Sequence, residues 1–334
     1  MIKKLEIENF GNISQLECQN LGAINLIIGP NQSGKTTLLK ALYSAIKTVE
    51  SYQRGRDNRS DKEILSDKLF WTFQSQSLGN LVRKGTSSLS FKMVSDRDEM
   101  FKYSFGPATT KSVPVEENSF APRPVNTIFI PAKEILSLRE IIIDSRNRYQ
   151  EFGFEDPYFD LAMALTPTTR GNNYKAFSMA RQSIENMVGG KLDYDAEKKD
   201  WVFKDTARRI YEIALTSEGI KKLSILDILL GNHYLTPDSI IIIDEVEANL
   251  HPAMISKFME VILSLAEAGI QFFIASHSYF VIKKLYILAH LRDVHIPVLS
   301  FNEGFCSIGD LHENMPKNAI IDESVNIYKE EIRL

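Results

Sequence analysis

One eight-residue segment near the N-terminus most constrains how this 334-residue chain can fold. Residues 29–36 read GPNQSGKT and match the pattern G-x-x-x-x-G-K-[ST]. A short apolar run, residues 23–28, precedes the segment, and residues 37–47 repeat apolar side chains at helical spacing. The sequence therefore predicts a phosphate-binding loop between a buried strand and the N-terminus of a helix.

This loop has the chemistry to bind a nucleoside triphosphate. Its glycines let the backbone wrap closely around phosphates, and amide groups at the helix N-terminus point at a site that the helix dipole favours for anions. We expect Lys35 to reach the β- and γ-phosphates of ATP, and the Thr36 hydroxyl to bind Mg²⁺. The other nucleotide-binding residues predicted in this segment are Asn31, Ser33, Gly34 and Thr37.

Composition argues against several classes of protein. The net charge of −4 gives no overall attraction to nucleic acid or to an anionic membrane. The two cysteines, Cys18 and Cys306, lack the spacing of a metal site, so neither a zinc site nor a disulfide framework is expected. No apolar stretch approaches the roughly 20 residues of a membrane-spanning helix. A cytoplasmic protein without a membrane partner is the expectation.

Strands and helices alternate along the chain, which predicts a largely parallel α/β sheet. Residues 109–124 contain several prolines and predict a connector without regular structure. Residues 132–214 are predicted to be helical, with one β-hairpin at residues 189–203. Two short strands within residues 298–308 are expected to close the chain.

A pair of carboxylates follows the most apolar of the predicted strands. Residues 240–243 are four isoleucines, and Asp244 and Glu245 come directly after them. Ligands bind outside the carboxyl ends of strands in open α/β sheets. Asp244 is expected to hold Mg²⁺ opposite Thr36, and Glu245 to orient or deprotonate the attacking water. His277 follows the next apolar strand; it either reaches the γ-phosphate or is simply a polar residue at a strand end.

Taken together, these segments resemble the heads of ABC-type ATPases, in the branch of SMC, RecF and OLD-like proteins. Four blocks carry the resemblance: the first strand, the "LVRxG" hairpin, the Walker B and D-loop block, and the switch-histidine block. In this chain they read IKKLEIENFGNI, NLVRKGTSSLSFKM, IIIIDEVEANLHP and FIASHS. The resemblance implies that Glu245 is the catalytic carboxylate and that His277 senses and stabilises the γ-phosphate.

The same resemblance implies the architecture of a P-loop ATPase head. A mainly parallel core sheet would carry an antiparallel β-subdomain and an inserted helical lobe. The nucleotide-binding lobe would comprise residues 1–131 plus 234–334, and the helical lobe residues 132–233.

The family also needs a signature segment that caps ATP from the opposite subunit, and residues 216–222 (TSEGIKK) are the candidate. By resemblance, Ser217 and the Gly219 amide would touch the γ-phosphate bound by a second copy, so that ATP joins two copies. Glu218 stands where the family has a glycine, and Ile220 where Gln or Glu is common. The Glu218 carboxylate must therefore point away from the phosphates or be paired. A helix N-cap at Ser217 is a compatible alternative.

One further position departs from the family pattern, and another has two possible roles. The glutamine that usually follows the strand before the helical lobe is replaced by Ala132. Either Glu134 or Lys133 takes its place near the metal, with Gln74 as a further candidate, or no residue does. His251, in the D-loop block, is either structural or crosses the dimer interface.

The preferred function is an ATPase that slowly hydrolyses ATP to ADP and phosphate, and that forms a homodimer or a higher oligomer around ATP and Mg²⁺. It would regulate a separate effector, a nuclease or toxin, in bacterial anti-phage defence, because its motifs resemble Septu-type and OLD-like ATPases. A transporter subunit is disfavoured by the altered signature, and a non-hydrolysing scaffold by Glu245. The alternative is a RecF-like DNA clamp with a basic groove. Candidates for that groove are Arg139, Arg146, Arg148 and Arg170.

Overall fold

A computed structural model describes residues 1–123, 125–167, 171, 173–197 and 200–334. Strands and helices alternate through most of them. The strands are β1 (Ile2–Phe10), β2 (Ile13–Cys18), β3 (Ile24–Ile28), β4 (Leu89–Ser95), β5 (Met100–Phe105), β6 (Val115–Asn118), β7 (Thr127–Ile130), β8 (Gly190–Asp195), β9 (Asp200–Asp205), β10 (Ile210–Glu212), β11 (Ile240–Ile243), β12 (Gln271–Ser276), β13 (Pro297–Asn302) and β14 (Phe305–Asp310).

The helices differ widely in length. They are α1 (Lys35–Ser51), α2 (Asp61–Phe73), α3 (Arg139–Asp144), α4 (Asp156–Ala164), α5 (Lys175–Val188), α6 (Glu218–Gly231), α7 (Pro252–Glu267), α8 (Tyr279–Arg292) and α9 (Ala319–Ile332). Among the helices of the described residues, none combines the length and the apolar composition that crossing a bilayer requires.

The larger of the two sheets has eleven strands in the order β6-β5-β4-β1-β2-β14-β13-β3-β12-β11-β7. Its half with β13, β3, β12, β11 and β7 is parallel, and its other end, from β6 to β2, is antiparallel. The smaller sheet, β10-β9-β8, is antiparallel and lies within residues 132–233 together with α3 to α6. The expected α/β fold is confirmed, while the division into two lobes stays a prediction.

The parallel strands are apolar on both faces because both faces are covered. In β11, Ile241 and Ile243 pack into the core that includes α5 to α8. Ile240 and Ile242 pack into the opposite core, together with apolar residues of α1. Burial on both sides explains why this strand is a continuous run of isoleucine rather than an alternating pattern.

The sequence did not predict strand β2, nor three elements that have no buried residue, β6, β10 and α9. β6 lies inside residues 109–124, and β10 extends the predicted hairpin to a third strand. α9 follows β14, although β14 was expected to close the chain, and it has no buried residue. Exposed edge strands and surface helices lack the burial pattern from which elements are predicted, so their sequences gave little signal.

Candidate nucleotide site

The carboxyl ends of β3, β11 and β12 form one edge of the sheet. The register aligns Ile28 with Ser276, and it aligns Ile243 of β11 with Ile274 of β12 and Ile130 of β7. The phosphate loop leaves β3 at this edge, and the carboxylates that follow β11 lie beside it. The geometry therefore brings the two separate motifs of the sequence together.

Two glycines shape the phosphate loop. Gly29 has φ 152° and Gly34 has φ 112°, both in the region that side chains disfavour. A Cβ atom at Gly29 would meet the Phe301 carbonyl oxygen at 2.8 Å. The α1 helix starts at Lys35, immediately after Gly34, so its free amide groups face the loop. Asn31 is exposed at the tip of the loop, whereas Ser33 is buried.

The Lys35 side chain lies across the loop. Its Nζ donates hydrogen bonds to the carbonyl oxygens of Gly29, at 2.7 Å, and Pro30, at 2.8 Å. Burial lowers the pKa of Lys35, although nearby carboxylates, of which Asp244 contributes most, favour its charged form. The ammonium group is thus held at the loop and in the field of the carboxylates that follow β11.

Thr36 and Asp244 are in direct contact, although they lie 208 positions apart in the sequence. Both were predicted to be metal ligands. The Thr36 Oγ1 hydroxyl donates a hydrogen bond of 2.9 Å to Asp244 Oδ2. Burial raises the pKa of Asp244, and the bond from Thr36 opposes this. Asp244 Oδ1 and Ser33 Oγ are buried and have no hydrogen-bond partner within the described residues. Oxygen ligands with free lone pairs fit a small divalent cation such as Mg²⁺.

Glu245 adopts an unusual backbone conformation. Its φ is 47°, in the left-handed region, which costs free energy for a residue with a side chain. The carbonyl oxygen of Glu245 accepts hydrogen bonds from the Ala248 amide, at 2.9 Å, and from Lys222 Nζ. The chain turns sharply after β11, and the Glu245 side chain remains partly exposed at the edge of the sheet.

His277 is paired with Glu247, a carboxylate for which no role was predicted. The His277 amide donates a hydrogen bond of 2.8 Å to Glu247 Oε1, and its Nδ1 lies 3.4 Å from the same oxygen. The other oxygen, Glu247 Oε2, is buried and has no hydrogen-bond partner in the described part of the chain. The only available signal for Glu247 was its position as the third carboxylate within four residues of β11.

The two candidate residues of the signature segment differ in their exposure to solvent. Ser217 is exposed and caps α6, because its Oγ accepts a 3.5 Å hydrogen bond from the Ile220 amide. Gly219 is buried, and a Cβ there would meet the Asn249 carbonyl oxygen at 2.5 Å. Among the hydrogen bonds of the described residues, Ser217 and Gly219 make none to the phosphate loop. The N-cap interpretation of Ser217 is confirmed, and the role of both residues at ATP stays a prediction.

Glu218 is paired, as the sequence required. Its carboxylate accepts a hydrogen bond of 2.9 Å from Lys221 on the next turn of α6. Lys221 also lies 3.9 Å from Glu134, and Glu134 in turn accepts a 2.8 Å bond from the Ser137 amide. Glu134, a candidate to replace the missing glutamine, therefore has its partners within residues 132–233.

The remaining positions whose roles were undecided from the sequence differ in their contacts and in their exposure to solvent. His251 caps α7, since its Nδ1 accepts a 3.2 Å hydrogen bond from the Ala253 amide, which favours the structural interpretation. Gln74 ends α2, and its buried Nε2 group has no partner among the described residues. Lys133 is exposed, and Ala132 is partly buried.

A profile of known families matches residues 24–283, which is most of the chain. Its description reads "AAA domain, putative AbiEii toxin, Type IV TA system". Two curated relatives match over short segments. The DNA replication and repair protein RecF of Oceanobacillus iheyensis is 41% identical over 64 residues, which are 19% of this chain and 16% of RecF. The DNA double-strand break repair Rad50 ATPase of Methanopyrus kandleri is 33% identical over 73 residues, which are 21% of this chain and 8% of that protein.

Solved structures match over nearly the full length of the described fold. An SMC head bound to the C-winged helix domain of ScpA has a TM-score of 0.54 at 15% identity, and the match covers 92% of this chain and 97% of that one. An Smc head with an extended coiled coil, bound to the C-terminal domain of ScpA derived from Pyrococcus furiosus, has the same TM-score at 12% identity. That match covers 100% of this chain and 99% of the other. At such identities these likenesses establish the fold alone, which is that of an SMC head.

Proposed function

Because the chain belongs to the family described as "AAA domain, putative AbiEii toxin, Type IV TA system", we propose that it is an ATPase that closes into a homodimer around ATP and Mg²⁺. One observation carries the assignment of the nucleotide site. Thr36 and Asp244 meet at 2.9 Å beside a lysine-bearing phosphate loop, and Asp244 keeps a buried oxygen without a partner. Local segments that match RecF and the Rad50 ATPase are consistent with this type of head.

Each residue of the site has a separate task in the proposed reaction. Lys35 exchanges its bonds to the loop carbonyls for bonds to the β- and γ-phosphates. Thr36 and Asp244 would hold Mg²⁺, which would supply positive charge to neutralise the phosphates. Glu245 orients the attacking water and accepts its proton. His277, steadied by Glu247, stabilises charge at the γ-phosphate.

The proposed dimer depends on the N-terminus of α6. This helix has 14 residues, its first turn is exposed at Ser217, and the Glu218 carboxylate is neutralised by Lys221. A helix N-terminus with an exposed serine favours an anion, because its first amide groups have no acceptor within the helix. Ser217 and Gly219 make no hydrogen bond to their own phosphate loop within the described residues, which supports their use by a second copy. Loss of the γ-phosphate would remove the anion that joins the two copies.

Mass measurement of a hydrolysis-deficient variant tests this proposal. Glu245→Gln should be a dimer in saturating ATP and Mg²⁺ by light scattering coupled to gel filtration, and a monomer without nucleotide. The matched control is the double variant Lys35→Ala with Glu245→Gln, which should remain monomeric under both conditions. A single variant that stays monomeric while it binds ATP would overturn the dimer.

We further propose that the dimer acts in the cytoplasm and controls a separate effector, a nuclease or toxin of anti-phage defence. The family description supports this, since it names a toxin and a toxin–antitoxin system. Co-expression with the product of an adjacent reading frame provides the test. Wild-type protein should change the toxicity or nuclease activity of that product, whereas Lys35→Ala should not. Equal effects of both proteins would contradict control by ATP.

A RecF-like DNA clamp is the second candidate, and the 41% identical RecF segment favours it. The structure weakens its predicted basic groove. Arg139 donates to the Ala162 carbonyl oxygen, and Arg146 pairs with buried Asp156 at 2.9 Å. Arg148 is exposed, and Arg170 lies outside the described residues. ATP-dependent DNA binding that weakens steeply with salt would favour the clamp.

A further inference from the structure

Lys222 is a buried lysine of α6 whose side chain reaches the segment after β11, at the edge of the sheet that carries the phosphate loop. It is 6% exposed, and its Nζ donates a hydrogen bond to the carbonyl oxygen of Glu245. We propose that Lys222 is a positioning residue of the ATPase site. It holds the main chain of Glu245 and thereby places the Glu245 carboxylate to activate the water that attacks the γ-phosphate. This inference rests on the proposed role of Glu245.

The backbone of Glu245 explains why it needs a support. Its left-handed conformation, at φ 47°, is unfavourable for a residue with a side chain, so the surrounding structure must stabilise it. The Ala248 amide closes the turn from one side, and Lys222 binds the same carbonyl oxygen from α6. A charged donor makes a stronger hydrogen bond than a neutral one. Removing the lysine should therefore let this peptide unit reorient.

The charge of Lys222 also fits its surroundings. Asp244, Glu245 and Glu247 place three carboxylates within four residues, and Asp244 Oδ1 and Glu247 Oε2 are buried without a hydrogen-bond partner within the described residues. Burial lowers the pKa of Lys222 to about 8, and the three carboxylates oppose that shift. A buried cation next to several carboxylates reduces their mutual repulsion. Lys222 thus acts on the conformation and on the charge of the same segment.

The position of Lys222 within α6 adds a connection between the two copies of the proposed dimer. Ser217 caps the N-terminus of this helix on its exposed side, and Lys222 points from the next turn to Glu245 of its own chain. A rigid helix transmits a displacement of its first turn along its length. Closure of a second copy onto Ser217 would therefore reach Glu245 through Lys222.

Steady-state kinetics of two substitutions separate positioning from a merely structural role. Lys222→Met should lower kcat about 10- to 100-fold, as expected for a misplaced catalytic group, with KM for ATP changed by less than about threefold. Lys222→Arg should restore most of kcat, because it keeps a cation and its donors. An unchanged kcat in folded Lys222→Met, or a loss confined to KM, would overturn the proposal. A folded Lys222→Arg that is as impaired as Lys222→Met would do so too.

A double-mutant cycle tests whether Lys222 acts through Glu245. In a Glu245→Gln background, measured in single turnover, Lys222→Met should cost far less than it does in wild type, because the group that it positions is gone. Neighbouring Lys221, whose ammonium pairs with Glu218, is the control; Lys221→Met should keep its full effect in that background. Additive effects of Lys222→Met contradict the proposal. If Lys222→Met does not fold, the Lys222→Gln variant, which keeps a donor without the charge, replaces it in the cycle.

The cycle also distinguishes failure of this inference from failure of the proposed function. If Glu245→Gln hydrolyses ATP like wild type, the assignment of Glu245 fails, whatever Lys222 does. If Glu245→Gln is impaired as expected but the two effects add, only the role of Lys222 fails.

Discussion

The two halves of the proposed ATP site differ in how their polar groups are directed. At the phosphate loop, Lys35 and Asp244 are buried and converge on one space, and Asp244 keeps an oxygen without a partner. At the start of α6, Ser217 and Glu218 are exposed to solvent, and Gly219 is fixed by packing against the Asn249 carbonyl oxygen. The polar groups of the phosphate-loop half contact one another within the chain, whereas those at the start of α6 face solvent.

This difference indicates what each half can do alone. The phosphate-loop half has the groups to bind a nucleotide and a cation without help. The α6 half offers a serine and a helix N-terminus, which bind an anion only weakly in water because the dipole effect is screened. We therefore assign nucleotide binding to the first half and dimerisation to the second.

The largest effect is expected for the carboxylate that acts on water. Glu245→Gln should lower kcat about 10²- to 10⁴-fold, the range that a general base contributes. ATP affinity should remain within a few-fold of wild type, because the amide does not remove a phosphate contact. Single-turnover hydrolysis and equilibrium binding of a fluorescent ATP analogue measure the two quantities.

The control for this variant is Glu267→Gln, at the exposed end of α7, which should leave both quantities unchanged. Hydrolysis at the wild-type rate by Glu245→Gln would show that the base lies elsewhere, and Glu247 would then be the first residue to replace.

A smaller effect is expected when the phosphate-loop half is disabled. Lys35→Ala should weaken ATP binding about 10- to 100-fold, since hydrogen bonds from a charged group contribute about 1.5–3 kcal/mol. Titration calorimetry measures the affinity, and the exposed Lys84→Ala provides the control. Undiminished binding by Lys35→Ala would locate the nucleotide outside the phosphate loop and contradict the assignment of binding to this half.

The smallest effect concerns stability of the α6 half. Gly219→Ala places a Cβ 2.5 Å from the Asn249 carbonyl oxygen, and overpacking of this kind lowers the free energy of unfolding by about 1–3 kcal/mol. Chemical denaturation measures the change. Gly309→Ala is the matched control, because a Cβ at that position meets no atom within 4 Å. Equal stability of the two variants would show that α6 moves away from Asn249 without cost.

The proximity of the phosphate-loop residues could be predicted from the sequence because the motifs that carry them are local. A loop motif between a strand and a helix, and carboxylates after an isoleucine strand, mark Lys35, Thr36 and Asp244 as candidates without knowledge of packing. Their contact follows from two parallel strands that end at one edge of a sheet. The sheet class follows from the same alternation of strands and helices.

The remaining features depend on contacts that are distant in sequence. Lys222 lies 23 positions before Glu245, and nothing in its own segment indicates that its side chain turns inward to that carbonyl oxygen. Arg146 was predicted to face DNA, but it pairs with Asp156 and its guanidinium lies 3.8 Å from the centre of the Trp71 ring. A charged side chain can bury its charge only against partners that the fold supplies, so its exposure could not be predicted from its position alone.

Complementation between two inactive variants tests whether the ATP site is shared between two copies of the chain. Lys35→Ala disables the phosphate loop, and Ser217→Arg disables the segment offered to a second copy. Each variant alone should hydrolyse ATP far more slowly than wild type. A mixture should regain activity, because a mixed dimer contains one site with an intact phosphate loop from one copy and an intact Ser217 from the other. A mixture no more active than the average of the two separate variants would contradict an ATP site shared between two copies.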